Sequence, residues 1–145
     1  MAATAYIDAQ ANNDSEKNTR QYTDLDLFFS KKISDSDISK VTDIQAVKRS
    51  VRNLILLNHY EKPFHPEIGS GVRDILFEPM TAITAIILNR KIEDTINNFE
   101  PRVKLLKTKV SPNFETLEFD VVISYEIIGI EAQPQQLSFA LEPAR

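Results

Sequence analysis

Residues 78–102 read EPMTAITAIILNRKIEDTINNFEPR, a helix-forming run set between Pro79 and Pro101. Pro79 suits a first-turn position, where its missing N–H costs nothing. Pro101 disfavours helical geometry at Glu100 and so ends the run. Met80, Ile83, Ile87, Ile92, Ile96 and Phe99 form an apolar stripe, with Ile86 and Leu88 beside it. So broad a stripe predicts a largely buried helix, about twenty residues and roughly 30 Å long. The run decides the fold because the residue period changes across it.

Downstream the period is that of strands. Val103 to Val110 is the first, and Ser111-Pro112-Asn113 reads as its turn. In the second, Leu117, Phe119, Val121, Ile123, Tyr125 and Ile127 alternate with Glu118, Asp120, Ser124 and Glu126. Gly129 bulges or ends it. After a turn at Gln133-Pro134-Gln135, Leu137, Phe139 and Leu141 alternate with Ser138, Ala140 and Glu142. Strands in series with short turns make an antiparallel meander. Its apolar face needs a cover, and the helices supply it. The fold class is therefore α+β, with helices packed on one face of a small antiparallel β-meander.

Upstream, Lys62 to Gly71 holds prolines at 63 and 66 and glycines at 69 and 71, so it is a shaped loop. A short helix, Val72 to Phe77, follows, with Ser70 placed to cap it. An earlier helix starts at Thr42, where Thr42-Asp43-Ile44-Gln45 has capping-box spacing. Ile44, Val47, Val51, Leu54 and Ile55 share its inner face; Lys48, Arg49 and Arg52 fall on a solvated one. Tyr22 to Phe29 alternates briefly, as a short strand or an extended arm, and residues 1–22 read as a polar tail. The division expected is an arm over 1–40 and one domain over 41–145, with helices in 42–100 and sheet in 102–142.

The chain has 145 residues, enough for one domain with its own core. A net charge of −4 argues against a phosphate-binding face, and no nucleic-acid partner is expected. Without cysteine there are no disulfides, thiol nucleophiles or thiolate metal sites. No apolar run has the length of a membrane span, so no membrane partner is expected, and no secretory signal is expected either.

Catalytic patterns are sparse. His59 and His65 lie in no metal-ligand or triad spacing, and both read as structural. Gly69-Ser70-Gly71 lacks the Lys-Ser/Thr of a phosphate loop. Glu67, Asp74 and Glu78 near the loop could flank a cleft as glycosidase carboxylates do. No catalytic residue, metal or cofactor is expected.

Residues 63–78, PFHPEIGSGVRDILFE, together with the long helix, Glu100-Pro101-Arg102 and the strands after it, resemble the small baseplate wedge proteins of contractile-tailed phages. The same family supplies a baseplate subunit of type VI secretion systems. The resemblance spans about residues 40–145. Glu-Pro alone carries little, since it recurs at 78, 100 and 142; the order of elements carries the match.

The resemblance implies a structural subunit in the tail baseplate of a virion or injection machine, assembled in the host cytoplasm. It would be present in six copies and would join the larger wedge proteins to the first sheath ring. Glu100, Pro101 and Arg102 match the family motif implied to grip the wedge core, and Arg102 could pair bidentately with a partner carboxylate. The implied sheath contact is strand addition at a sheet edge. Leu137, Ser138, Phe139, Ala140, Leu141 and Glu142 are taken as that edge, because a meander ending near the C-terminus leaves it least covered. A peptidoglycan hydrolase of the tail, using the acids near the loop, is the alternative, and a plain adaptor a third.

Overall fold

The computed structural model describes residues 22–32 and 37–142. The tail expected over residues 1–22 lies outside them, except for Tyr22. The order of elements is β1 (Thr23–Leu25), β2 (Lys40–Thr42), α1 (Asp43–Leu56), α2 (Val72–Ile75), α3 (Ala82–Phe99), β3 (Val103–Asn113), β4 (Glu118–Ile127) and β5 (Gln135–Leu141). β1 and β2 pair antiparallel as a small separate sheet, with Asp24 opposite Val41. The other sheet has the order β3-β4-β5, all antiparallel. The α+β meander expected from the sequence is present.

The core lies between this sheet and the helices. Phe119, Val121, Ile123, Tyr125 and Ile127 on β4, with Leu137 and Leu141 on β5, meet Val47, Val51 and Ile55 of α1 and Leu88, Ile92 and Ile96 of α3. Burying each such Val, Leu or Ile side chain is worth about 1.5–3 kcal/mol, so this layer supplies most of the drive to fold.

Several details differ from the sequence reading. The long helix starts at Ala82 rather than at Pro79. Thr81 is extended and its Oγ1 accepts the Thr84 N–H at 3.1 Å, while Thr84 Oγ1 donates to the Pro79 carbonyl at 2.7 Å. A threonine cap outcompetes a proline start because it satisfies an otherwise unpaired amide. The end is as expected: Glu100 leaves helical geometry before Pro101.

The isoleucine stripe is only partly buried. Thr84, Ala85, Leu88, Ile92, Thr95 and Ile96 face inward, whereas Ile83 and Ile86 are 70% and 68% exposed and Ile87 is also exposed. A helix resting on one sheet can cover only one row, and apolar content wider than that row is left outside.

Thr42 gives no side-chain cap to α1. It ends β2 opposite Thr23, and Asp43 turns the corner at φ 50° with its N–H on the Tyr22 carbonyl, 2.7 Å.

Ser111-Pro112-Asn113 is not a turn but the end of β3, with Pro112 opposite Phe119. β3 is an edge strand, where a residue without an N–H is tolerated. The chain turns over residues 114–117 instead. There Asn113 Oδ1 accepts the Glu115 and Thr116 amides at 3.1 and 3.4 Å.

The short helix spans Val72–Ile75 with Leu76 as its C-cap, and so stops short of the Phe77 expected, and the loop before it is held by Ser70. Its Oγ donates to the Ile55 carbonyl at 2.5 Å and accepts the Val72 N–H at 3.1 Å. At Gly69 any Cβ would come within 2.6 Å of the Asn58 carbonyl carbon, so the close approach demands glycine.

Candidate partner-binding site

Pro101 places Glu100 and Arg102 on either side of the α3–β3 corner. Glu100 is 4% exposed, although it carries a charge. Its Oε1 accepts from Arg102 Nε at 2.7 Å, and its Oε2 from Arg102 Nη2 at 3.0 Å and Ser50 Oγ at 2.5 Å. Burial pushes the Glu100 pKa up, but the hydrogen bonds from Arg102 and Ser50 reverse this and hold it below the ordinary carboxylate range. The bond to Glu100 raises the pKa of Arg102 in turn.

The third guanidinium nitrogen of Arg102, Nη1, faces Asp24 of β1 at 3.2 and 3.4 Å. The Tyr22 ring lies 5.6 Å from the guanidinium, and Tyr22 Oη donates to the Ile128 carbonyl at 2.6 Å. The Ile128 N–H donates to the Arg102 carbonyl at 2.9 Å. The Arg102 fork is thus engaged within the chain itself, with its bidentate side on Glu100. Nothing at Asp24, Tyr22 or Ser50 marks these partners in the sequence, because bonds spanning 78 and 50 positions leave no local period.

Beside this corner lies an apolar groove of about 670 Å³ between β1, α1 and the shaped loop. Leu25, Leu27, Val41, Leu54, Pro63 and Phe99 line it, with Asp24, Arg49 and Arg102 on its wall. Arg49 is not simply solvated, as the sequence suggested. It pairs with the buried Asp26 carboxylate, which also accepts from Ser30 Oγ and the Phe28 N–H. These bonds, led by that from Ser30, hold the Asp26 pKa below its ordinary value. They fix a turn that presents Leu27, Phe28 and Phe29 to solvent.

The two edges of the large sheet are unlike. β3 carries Pro112, a bulge between Leu105 and Lys107, and the exposed lysines 104, 107 and 109. Each is a device that discourages a further strand. β5, Gln-Gln-Leu-Ser-Phe-Ala-Leu, has no proline, charge or bulge. Leu137 and Leu141 point into the core and Phe139 is half-buried; Ser138, Ala140 and Glu142 are exposed.

The acids near the loop are not gathered into a site. Glu67, Asp74 and Glu78 are all exposed. Glu67 Oε1 sits 3.1 Å from His65 Nδ1, and its pKa is lowered, chiefly by its own backbone N–H and then by His65. Among the described residues no three His, Asp or Glu side chains converge as metal ligands.

Comparison with known proteins gives three results. The family described as baseplate wedge protein gp25 matches residues 41–132. Baseplate wedge protein gp25 of Enterobacteria phage T4 is 31% identical over 105 residues, covering 72% of this chain and 80% of that protein. Solved structures that share the fold include the following two. One is a Geobacter sulfurreducens protein carrying the name tail lysozyme (19% identity, TM-score 0.63, 70% of this chain and 91% of that one). The other is a chain of the sixfold-symmetrised anti-feeding prophage baseplate (18% identity, TM-score 0.61, 86% of this chain and 88% of that one).

Proposed function

The chain belongs to the baseplate wedge protein gp25 family, and from that membership we propose that it joins the wedge core of a contractile tail to the first sheath ring. It is a structural component of a baseplate. In the proposed assembly six copies surround the tube at the tail end of the virion. The Glu100-Pro101-Arg102 corner and the groove beside it bind the larger wedge proteins, and β5 receives a strand of the first sheath subunit.

One observation supports the sheath half of this reading: among the described residues, β3 carries a proline, a bulge and exposed lysines, and β5 carries none of these. Strand addition needs an edge with free backbone groups and no charge or proline to repel the incoming chain. The test is seeding. Purified baseplates containing this chain should nucleate sheath on addition of sheath protein, and baseplates lacking it should not. Equal polymerisation on both would defeat the proposal.

The hydrolase reading draws less support. A glycosidase acid needs a raised pKa to stay protonated, and Glu67 is displaced the other way. The likeness to a protein named as a tail lysozyme, at 19% identity, is one of fold. A turbidity assay on purified cell walls separates the two: lysis by the folded chain would restore the enzyme.

A further inference from the structure

We infer that Asp24 fills, in the isolated chain, a carboxylate site on Arg102 that an aspartate or glutamate of the wedge partner takes on assembly. The inference rests on the reading of the Glu100-Pro101-Arg102 corner as the wedge grip, and it specifies the chemistry of that grip.

At this corner one guanidinium serves two carboxylates, and they are not held alike. Glu100 takes Nε and Nη2 at 2.7 and 3.0 Å, is buried, and is tied again by Ser50. Asp24 takes only Nη1, at 3.2 and 3.4 Å, with its side chain 40% exposed against 23% for Arg102. Short bidentate bonds to a buried acid are the strong kind, and long bonds to a half-exposed one are the weak kind. Of the two acids, Asp24 is therefore the replaceable one.

The backbone on either side of Asp24 is pinned. Tyr22 is bonded to Ile128 and, through both backbone groups, to Asp43; Asp26 is bonded to Arg49 and Ser30 through its carboxylate and to the Ser39 carbonyl through its own N–H. Release of Asp24 therefore requires a change of side-chain rotamer and no unfolding of β1. An incoming acid cannot simply add to the pair, because three carboxylates around one guanidinium would repel one another. Binding is an exchange of one carboxylate for another. A neutral or basic side chain at the same place would leave Asp24 where it is, so the exchange also selects among partners. Asp24 lies before the 41–132 region that matches the family, so this feature sits on a segment that the match does not reach.

Two measurements test the proposal, both on the full chain. In the first, sodium acetate serves as a bare carboxylate probe and is titrated against the Arg102 Nε–Hε signal by NMR. Asp24→Ala should show a saturable shift that is several-fold weaker in the unsubstituted chain. No saturable shift in Asp24→Ala, or equal shifts in both, overturns the placeholder. In the second, the affinity for the larger wedge protein of the same particle is compared among variants of confirmed fold. Asp24→Asn should bind at least about threefold tighter, because the competing charge is gone. If Arg102→Ala binds normally, the wedge reading itself fails. If Arg102→Ala is impaired while Asp24→Asn binds no tighter, the wedge reading stands and the placeholder is overturned.

Discussion

Arg102 closes a two-bond fork on Glu100, its neighbour but one, across the proline that ends the long helix. The pair locks the helix-to-sheet corner in place and turns a charged motif into a buried joint. Removing Arg102 leaves Glu100 charged and held only by Ser50. Because Arg102 is partly exposed, Arg102→Ala should cost about 1–3 kcal/mol rather than the larger sum typical of a deeply buried pair. Urea unfolding of the isolated chain measures it; Arg102→Lys should recover only part of the loss, since an ammonium cannot make the fork.

The same joint sets the acid behaviour. Glu100 and Asp26 both ionise below their ordinary values when folded: for Glu100 the Arg102 and Ser50 bonds overcome burial, and for Asp26 the Ser30 bond leads. A depressed folded pKa adds stability that is complete above the unfolded pKa and disappears as the pH falls through the folded one. The urea midpoint should therefore hold between pH 7 and about 5 and fall below about 4. Arg102→Ala should flatten that fall. An unchanged slope would mean that Glu100 is not a source of it.

Helix α3 should separate cleanly into two faces. Ile92→Ala removes a fully buried side chain and should cost about 2–5 kcal/mol. Ile83→Ser and Ile86→Ser, on the exposed row, should each change stability by less than about 0.5 kcal/mol. The comparison needs only chemical denaturation of three variants.

The start of that helix is testable by its cap. Thr81→Ala should lose about 1 kcal/mol, since the Thr84 amide then has no side-chain acceptor. Pro79→Ala should change little, because Pro79 lies outside the helix.

For the sheath contact, Ser138→Lys with Ala140→Lys places two charges on exposed positions of β5. The fold and its thermal midpoint should be nearly unchanged, whereas sheath seeding should be lost. The matching double change on β3, Ser111→Lys with Asn113→Lys, should leave seeding intact. Seeding lost from β3 and kept by β5 would reverse the assignment of edges.

Much of the fold was legible because it rests on local period. The alternation from Phe119 to Ile127 announced the central strand, and Pro101 announced the end of the helix. Errors arose where a residue type serves two uses. Pro112 resembles a turn residue but is also tolerated on an edge strand, and only the pairing with Phe119 distinguishes them. Thr42 resembles a cap but is spent in a ladder with Thr23. The isoleucines of α3 are equally apolar at 83 and at 92, and the sheet alone decides which are covered. At the corner, Glu100 and Arg102 were visible as a motif, but their partners Asp24 and Ser50 were not. Those contacts are made by chain folding and leave no spacing to read.

The unlike edges of the sheet have one more consequence. A repeat unit that offers and accepts strands on both sides can polymerise in either direction and can start anywhere. A sheet that takes a strand along β5 alone, as proposed above, would have only one way to grow. On that proposal the subunit would act as a primer, fixing where a stack begins and which way it points.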